Sequence, residues 1–203
     1  HLLNAYNVKE VIACATSAMR DASNSADIIR KVKLETGLGI EIISGDLEAS
    51  IIYENHIAEN MDVANSYMYI DVGGGSTELT FFTDGKLTFK RSFNIGTIRL
   101  LKDMVNDYKW NEMKDYIKSA TKGYKKIIAI GTGGNINKVF SLSKKKDGKP
   151  LSLDLLKDYY KEISNFSLED RINIYKLRND RADVIVPALK AGKVFSDRTF
   201  CSR

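Results

Sequence analysis

The sequence predicts an α/β fold in two parts, and three observations lead to this prediction. Short apolar segments at residues 11–15 and 40–43 alternate with segments of helical periodicity, which is typical of parallel strands buried on both faces. The pattern then changes, and two strand-like segments flank Asp84-Gly85, a strong hairpin signal. Beyond a further apolar strand the chain is helical. We therefore predict one domain segment over residues 1–62 and a second over residues 63–203.

Within the first part, a helix is expected after each strand. The polar residues 23–25 can begin one helix, apolar residues then recur at helical spacing, and Gly37 can end it. A second helix is predicted over residues 46–60. Its inner face is expected to consist of Leu47, Ile51 and Ile57.

The second part is expected to contain a hairpin meander that is followed by a strand and several helices. The predicted strands cover residues 67–72, 78–83, 86–93 and 126–130. The predicted helices begin at about Thr97 and Asn111 and then cover residues 135–142, 153–164, 168–175 and 181–189. A basic loop is expected over residues 143–150, between two of these helices.

The composition is ordinary for a globular protein, with 43% hydrophobic and 28% charged residues in a chain of 203. No run of about 18 apolar residues is present, so no membrane span is expected. The formal net charge of +5 would favour anionic substrates, although a solvated surface is the simpler explanation. Because the basic residues are not interleaved with aromatic ones, we do not expect a nucleic-acid partner.

The cysteines and the start of the chain bear on where the protein works. Cys14 and Cys201 form neither a metal-binding spacing nor a disulfide framework, so a reducing compartment is the default. The first residues lack the basic and apolar regions of a signal peptide, and we expect a cytoplasmic protein. The lack of an initiator Met suggests a fragment or a processed chain.

The segment DVGGGSTE, residues 71–78, carries the sharpest chemical signal. Three consecutive glycines permit positive φ angles and a close approach of the backbone to a ligand, and successive N–H groups can form an anion-binding concavity. Asp71 could bind a divalent cation, and Glu78 lies across the turn from it. The alternative is a flexible hairpin turn with incidental glycines. Because no Gly-Lys-Ser/Thr follows, the segment is not a Walker phosphate loop.

A second glycine loop, GTGGN at residues 131–135, lies between a predicted strand and a predicted helix. Backbone donors and the helix dipole at such a position favour the binding of phosphate. Alone, the segment is explained equally well as a plain turn. Two such loops in one chain suggest a phosphate chain that is held from two sides.

Two charged residues follow the predicted strands of the first part, at the sheet edge where ligands of open α/β sheets gather. Arg20 could bind phosphate in a bidentate manner, or it could pair with Asp21 or another surface carboxylate. Glu48 could act as a general base toward a water molecule that attacks phosphorus. Its simpler role is a favourable interaction with the helix dipole. The local sequence leaves these alternatives open.

Six stretches together resemble the exopolyphosphatase/guanosine-pentaphosphatase family of the actin, sugar kinase and heat-shock 70 superfamily. In family order they are ATSAMRDASN, GLGIEIISGDLEA, DVGGGSTEL, NIGTIRL, GTGGNINK and DRADVIVPAL. The resemblance implies an actin-like (ribonuclease H-like) two-domain fold with a cleft between the domains. Residues 1–62 would be the C-terminal part of a first domain that is truncated in its N-terminal half. Residues 63–203 would be an essentially whole second domain with C-terminal helices.

The resemblance also implies hydrolysis of the terminal phosphate of inorganic polyphosphate or guanosine pentaphosphate, assisted by Mg²⁺ or Mn²⁺. Guanosine tetraphosphate is a further expected ligand. Glu48 matches the family base that activates water, and Asp71 and Glu78 match acidic residues that serve the metal. The residues expected to bind phosphate are Arg20, Gly73, Gly74, Gly75, Ser76, Gly131, Thr132, Gly133 and Gly134.

Two departures from the family pattern bear on these expectations. No D-x-GSNS phosphate loop precedes His1, and residues 191–203 do not resemble the usual family continuation. Lost strands would expose sheet edges, which a homodimer could cover. A non-catalytic phosphate- or nucleotide-binding domain is therefore the alternative function. A kinase or chaperone ATPase of the same fold is disfavoured, because ATSAMR and SG-x-x-E-A are not patterns of those proteins.

Overall fold

The computed structural model describes residues 5–48, 51, 62–124, 126–146, 149–192 and 200–202. The strands in this part of the chain are β1 (Ala13–Ala15), β2 (Ile40–Ile42), β3 (Ser66–Val72), β4 (Thr77–Thr83), β5 (Lys86–Phe93), β6 (Ile127–Thr132) and β7 (Phe200–Ser202). The helices are α1 (Ser17–Asp21), α2 (Ser25–Thr36), α3 (Thr97–Leu101), α4 (Asp107–Ala120), α5 (Gly134–Leu142), α6 (Leu153–Ser164), α7 (Leu168–Tyr175), α8 (Asn179–Ala182) and α9 (Ile185–Gly192). No helix within these ranges is long and apolar enough to cross a membrane.

A five-stranded mixed sheet forms the centre of the second part, in the order β5-β4-β3-β6-β7. β3, β4 and β5 form the predicted antiparallel meander, while β6 runs parallel to β3 and β7 parallel to β6. The hairpin between β4 and β5 turns at Asp84 and Gly85, whose φ angles of 52° and 70° are both positive. A two-residue turn of this kind matches the right-handed twist of the flanking strands, and it confirms the hairpin prediction.

The sheet is buried by helices, which explains the apolar periodicity of the second part. One cluster packs Met68, Ile70, Phe81 and Phe93 of the sheet against Met113 and Ile117 of α4. A second cluster joins the helices that follow β6, through Val139, Ile163, Ile185 and Leu189. β3 is central in the sheet, and its first five residues are all buried. The central strand therefore holds its carboxyl end, where the first glycine loop begins, in a fixed position.

The prediction that the strands of the first part are buried on both faces is wrong. β1 covers only Ala13–Ala15, Cys14 is exposed, and the side chain of Ile12 is 86% exposed. Within the described residues β1 pairs with β2 alone, as a parallel two-stranded sheet. The helix α2 between them has no buried residue. Because no second layer covers this sheet in the described part of the chain, its apolar side chains stay accessible.

The helix predicted over residues 46–60 is described only at residues 45–48 and 51, which are helical. Leu47 and Ile51 of its expected inner face are exposed, and Ile57 lies outside the described residues. The other helix of the first part confirms the prediction, because it ends where Gly37 adopts a left-handed conformation with φ 75°. The division of the chain at residue 62 stays a prediction.

Two helix boundaries in the second part differ from the prediction. The helix expected from about Asn111 begins at Asp107, because the side chain of Asn106 accepts a hydrogen bond from the Lys109 N–H and caps it. The single helix expected over residues 181–189 is two helices, α8 and α9. Pro187 has no N–H to donate, so it fits the first turn of a new helix better than the interior of a continuous one.

Candidate active site

The triple-glycine loop, residues 73–76, joins β3 to β4 and is closed by a hydrogen bond of 2.9 Å from the Gly73 N–H to the Ser76 carbonyl. The carbonyls of the three glycines accept hydrogen bonds from the first three residues of α3. The Thr97 N–H donates to the Gly73 carbonyl at 2.9 Å, and the Ile98 N–H donates to the Gly74 carbonyl at 2.8 Å. The loop backbone is therefore fixed by the NIGTIRL segment rather than free to move as a simple hairpin turn.

The amides of Gly74 and Gly75 are left available by this arrangement. Neither N–H donates to an acceptor among the described residues. Gly74 is exposed, and Gly75 is half-buried. Unpaired backbone donors that lie side by side favour an anion. The loop can therefore offer at least these two donors to phosphate oxygens.

The glycines are required here because other backbone and side-chain atoms approach the loop closely. A Cβ atom on Gly75 would lie 2.6 Å from the Ser17 Cβ in α1. A Cβ atom on Gly96 would lie 2.5 Å from the carbonyl carbon of Gly74. The loop is thus enclosed between the first part of the chain and the segment that precedes α3.

The second glycine loop lies beside the first, because β3 and β6 are parallel neighbours that end at the same edge of the sheet. Asp71 is paired in register with Thr132, and the Thr132 hydroxyl donates to Asp71 Oδ2 at 2.9 Å. Gly133 has a φ of +96°, and a Cβ atom there would lie 3.1 Å from Asp71 Oδ1. Asp71 therefore lies between the two loops, where an ion could be shared with a phosphate chain.

An arginine that the sequence analysis did not single out lies against the second loop. A Cβ atom on Gly134, the first residue of α5, would be 2.5 Å from Nη2 of Arg181. The guanidinium group is thus held at the N-terminus of a helix, where the dipole also favours anions. Arg181 belongs to the DRADVIVPAL stretch, one of the six that resemble the family. That resemblance did not indicate a role for this arginine in binding.

Glu78 is almost fully buried, with 4% of its surface exposed, and it is paired with Asp71 across the antiparallel β3–β4 ladder. Burial raises the pKa of Glu78 to about 7. Hydrogen bonds from Ser76 and Ser92 lower the pKa, while the negative charges of Glu48 and Asp71 raise it further. The Ser92 hydroxyl donates to Glu78 Oε1 at 3.1 Å. Near neutral pH the carboxyl group is therefore divided between its protonated and ionised forms.

Arg20 pairs with a carboxylate, as one of its two expected roles required, but the partner is Glu48 and not Asp21. Nη1 of Arg20 donates to the Ile43 carbonyl at 2.5 Å and lies 3.3 Å from Glu48 Oε2. The two side chains are 24% and 18% exposed. The arginine therefore orients the carboxylate that is expected to act as the base, and a direct role for Arg20 in phosphate binding stays a prediction.

Asp21 is paired instead with Arg99, a residue to which the sequence analysis gave no role. Nη2 of Arg99 donates to Asp21 Oδ2, and Nε donates to the Gly75 carbonyl at 2.7 Å. The helical segment 45–48, which carries Glu48, is also close to β5, because a Cβ atom on Gly45 would lie 2.8 Å from Ser92 Oγ. The only sequence signal for Arg99 was its place in the NIGTIRL stretch.

Two carboxylates that could hold a divalent cation, Asp71 and Glu78, are paired across the β3–β4 ladder. The described residues contain no group of three or more His, Cys, Asp or Glu side chains arranged to hold a metal ion. Mg²⁺ is commonly bound through one or two carboxylates together with substrate phosphates and water. Asp71 lies between the two glycine loops, and its charge raises the pKa of Glu78. Asp71 and Glu78 therefore fit an ion that is also bound by phosphate. They do not fit a site in which protein side chains supply all the ligands of the ion.

An apolar cavity of about 280 Å³ adjoins the second glycine loop, between the sheet and the helices α5, α6 and α9. Asn135 lines this cavity, and its side-chain Oδ1 is buried and accepts no hydrogen bond from the described residues. A buried acceptor without a donor costs free energy unless a ligand or a water molecule satisfies it. The cavity can therefore take an apolar group that carries an N–H donor.

Comparison with known proteins agrees with this geometry. The sequence matches the Ppx/GppA phosphatase family over residues 1–194. It is 30% identical over 190 residues to a bifunctional 3-dehydroquinate synthase/phosphatase of Fusobacterium nucleatum, which covers 86% of this chain and 28% of that protein. It is 24% identical over 197 residues to exopolyphosphatase 1 of Mycobacterium leprae, which covers 87% of this chain and 58% of that protein.

Solved structures share the fold of this chain. An exopolyphosphatase from Cytophaga hutchinsonii gives a TM-score of 0.79 at 23% identity, over 99% of this chain and 73% of that one. A Ppx/GppA family member from Aquifex aeolicus gives a TM-score of 0.70 at 23% identity, over 99% of this chain and 72% of that one. This likeness confirms the predicted fold class.

The chain spans 28% and 58% of the lengths of these two curated relatives. The family match nevertheless runs through most of the chain and includes both glycine loops, Glu48 and Arg99. The resemblance inferred from six short stretches is thereby confirmed. The chain belongs to the Ppx/GppA phosphatase family.

Proposed function

We propose that the protein hydrolyses the terminal phosphoryl group of inorganic polyphosphate. One observation carries the proposal: two glycine loops end neighbouring parallel strands, with Asp71 between them and Glu48 on a nearby helical segment. Such an arrangement offers backbone donors, a metal-binding carboxylate and a base to one phosphate chain. The exopolyphosphatase relatives support the same reaction.

Glu48 is proposed to accept the proton of the attacking water. Arg20 contacts Oε2 of Glu48, while Oε1 accepts no hydrogen bond from the described residues and is available to water. As the water oxygen bonds to the terminal phosphorus, its proton passes to Glu48 and the bridging P–O bond breaks. The products are inorganic phosphate and a chain shorter by one phosphoryl group. Arg20 keeps the base in one orientation throughout.

The developing charge on the phosphoryl oxygens would be stabilised by the chain's own donors. The amides of Gly74 and Gly75 lie on one side, and the N-terminus of α5 with Arg181 lies on the other. Asp71 and Glu78 would hold Mg²⁺, which supplies positive charge beside the transferred group when it is bound. Preorganised donors of this kind are commonly the largest contribution to catalysis of charge-developing reactions.

The proposal is tested by measuring phosphate release from long-chain polyphosphate in the presence of Mg²⁺. Glu48→Gln keeps the size of the side chain and removes the base, so turnover should fall by roughly 10²- to 10⁴-fold. Glu41→Gln, an exposed position on β2, is the matched control and should leave turnover unchanged. Unchanged turnover in Glu48→Gln would show that Glu48 is not the base.

A non-catalytic phosphate-binding domain remains the alternative function, and the same assay separates it from the enzyme. Calorimetry would then show that polyphosphate binds to the purified protein, while no phosphate is released under any metal condition. Measurable turnover that depends on Glu48 would exclude this alternative.

Guanosine pentaphosphate is a second candidate substrate, and the cavity beside the second loop favours it. A purine base has an apolar face and N–H donors, which match the apolar lining and the unsatisfied Oδ1 of Asn135. Asn135→Leu should then weaken the binding of the guanosine nucleotide and leave the binding of tripolyphosphate unchanged. An equal effect on the binding of both ligands would show that the nucleoside does not bind in this cavity.

A further inference from the structure

We infer that Arg99 is a positioning residue that fixes the triple-glycine loop relative to the general base, by linking this loop to Asp21 of α1. The inference deepens the proposed function and rests on it. It concerns a residue that touches neither the phosphate chain nor the water in the proposed reaction. Its action would pass through the backbone of Gly75 and through α1.

The side chain of Arg99 joins two segments that are far apart in the sequence. Its Nε donates to the Gly75 carbonyl at 2.7 Å, and its Nη2 donates to Oδ2 of Asp21, 78 residues away. The side chain is only 13% exposed, whereas that of Asp21 is 55% exposed. A largely buried guanidinium group that donates to two acceptors holds its partners more firmly than an exposed ion pair does.

The short helix α1 is held against the loop at both of its ends. Ser17, the first residue of α1, packs closely on Gly75, and a Cβ atom on Gly75 would overlap the Ser17 side chain. Asp21, its last residue, accepts from Arg99. α1 is therefore fixed to the loop at two points, directly through Ser17 and indirectly through Asp21 and Arg99.

The same helix carries the residue that orients the base. Arg20 is adjacent to Asp21, and it donates to the Ile43 carbonyl and to Glu48. A shift of α1 would therefore displace Arg20, and with it Glu48, relative to the loop that binds phosphate. The link through Arg99 keeps the distance between the base and the phosphorus constant.

Lysine cannot replace arginine in this role. A guanidinium group presents several N–H donors in one plane, so it can bond to a carbonyl through Nε and to a carboxylate through Nη2 at the same time. An ammonium group is a single point of charge on a flexible stem. Arg99→Lys should therefore keep the charge and lose the fixed geometry.

The test compares Arg99→Lys, Asp21→Ala and the double variant with Arg30→Lys as a control. Arg30 forms an ion pair with Asp27 on the exposed surface of α2, with side chains 74% and 72% exposed. We expect kcat for polyphosphate to fall about 10- to 100-fold in both single variants, since a small misplacement of reacting groups has an effect of this size. KM should change much less, because the loop amides still reach the phosphates.

The double variant should be no slower than the slower single variant, because both substitutions break one link. Arg30→Lys should match the unmodified protein. A merely structural role would lower the melting temperature while leaving kcat per folded molecule unchanged, and that result would overturn the inference. Additive losses in the double variant would overturn it as well.

A second measurement keeps the inference separate from the proposed function. The amides of Thr97 and Ile98 bond to the loop carbonyls, so their hydrogen exchange reports whether the loop stays in place. Exchange at both amides should accelerate in Arg99→Lys and Asp21→Ala and not in Arg30→Lys. If the unmodified protein releases no phosphate, the proposed function fails while this measurement still decides the link. Unchanged exchange would refute the link even in an active enzyme.

Discussion

Replacement of Glu78 by Gln should remove a pH-dependent cost to folding that the buried carboxyl imposes. The pKa of Glu78 rises from its ordinary value of 4.5 to about 7, chiefly because the side chain is buried. Each pH unit of such a difference corresponds to about 1.4 kcal/mol, so the full cost is about 3 kcal/mol. Gln has nearly the same shape and does not titrate, so it should carry no such cost.

The direction follows from the order in which the two states lose the proton. Below pH 4.5 the carboxyl is protonated in both the folded and the unfolded protein, and ionisation costs nothing. Between pH 4.5 and about 7 the unfolded state binds fewer protons than the folded state, so the free energy of unfolding falls as the pH rises. Above about pH 7 the whole cost is present.

The assay is urea unfolding of the metal-free protein at a series of pH values between 4.5 and 8. The difference in unfolding free energy, Glu78→Gln minus the unmodified protein, should grow by about 3 kcal/mol across this range. Glu10→Gln, at an exposed position, makes the same chemical change as a control and should show no such growth. A difference for Glu78→Gln that stays constant with pH would refute the argument that burial governs this carboxyl.

Three further predictions concern the triple-glycine loop and the carboxylates Glu78 and Asp71. Gly96→Ala should lower stability by roughly 1 to 3 kcal/mol in urea unfolding, because the new methyl group overlaps the backbone of the triple-glycine loop. Gly39→Ala, where the methyl group would meet nothing within 4 Å, should cost little, and equal losses at the two positions would contradict this reading. Mg²⁺ affinity measured by calorimetry should be weaker at pH 6 than at pH 8, because Glu78 must lose its proton to bind the ion. Glu78→Gln should abolish this pH dependence. An unaltered pH dependence in the variant would exclude Glu78 as its source. Thr132→Val removes the hydroxyl that donates to Asp71, so it should lower the free energy of unfolding by about 1 kcal/mol and also weaken the binding of Mg²⁺. An unchanged Mg²⁺ affinity would show that this hydrogen bond does not orient the carboxylate.

Features set by a few neighbouring residues could be predicted from the sequence. The helices Leu153–Ser164 and Leu168–Tyr175 begin and end where the pattern predicts. Each is capped by a serine whose hydroxyl accepts a backbone N–H, at Ser152 and Ser167. The Asp84-Gly85 hairpin is equally local. In each case the residues that form the cap or the turn are neighbours in the sequence, so the local sequence was enough to predict it.

Features that depend on distant contacts could not be predicted in this way. The pattern of β1 suggested burial, yet apolar sequence gives burial only where another layer covers the strand. The link between Arg99 and Asp21 joins residues 78 positions apart, and no local pattern reports such a pair. The position of Glu78 was evident from its motif, but its nearly complete burial follows from the packing of β3, β4 and β5 around it.

A site proposed to bind a polyanion contains three carboxylates, and the structure limits the repulsion that they would cause. Glu48 is paired with Arg20, so its charge is offset by a neighbouring cation. Asp71 accepts a hydrogen bond from Thr132. Glu78 takes up a proton near neutral pH because burial raises its pKa. Fixed negative charge at the sheet edge is therefore smaller than the residue count suggests, and a divalent cation that displaces the proton of Glu78 would make the same edge attractive to phosphate.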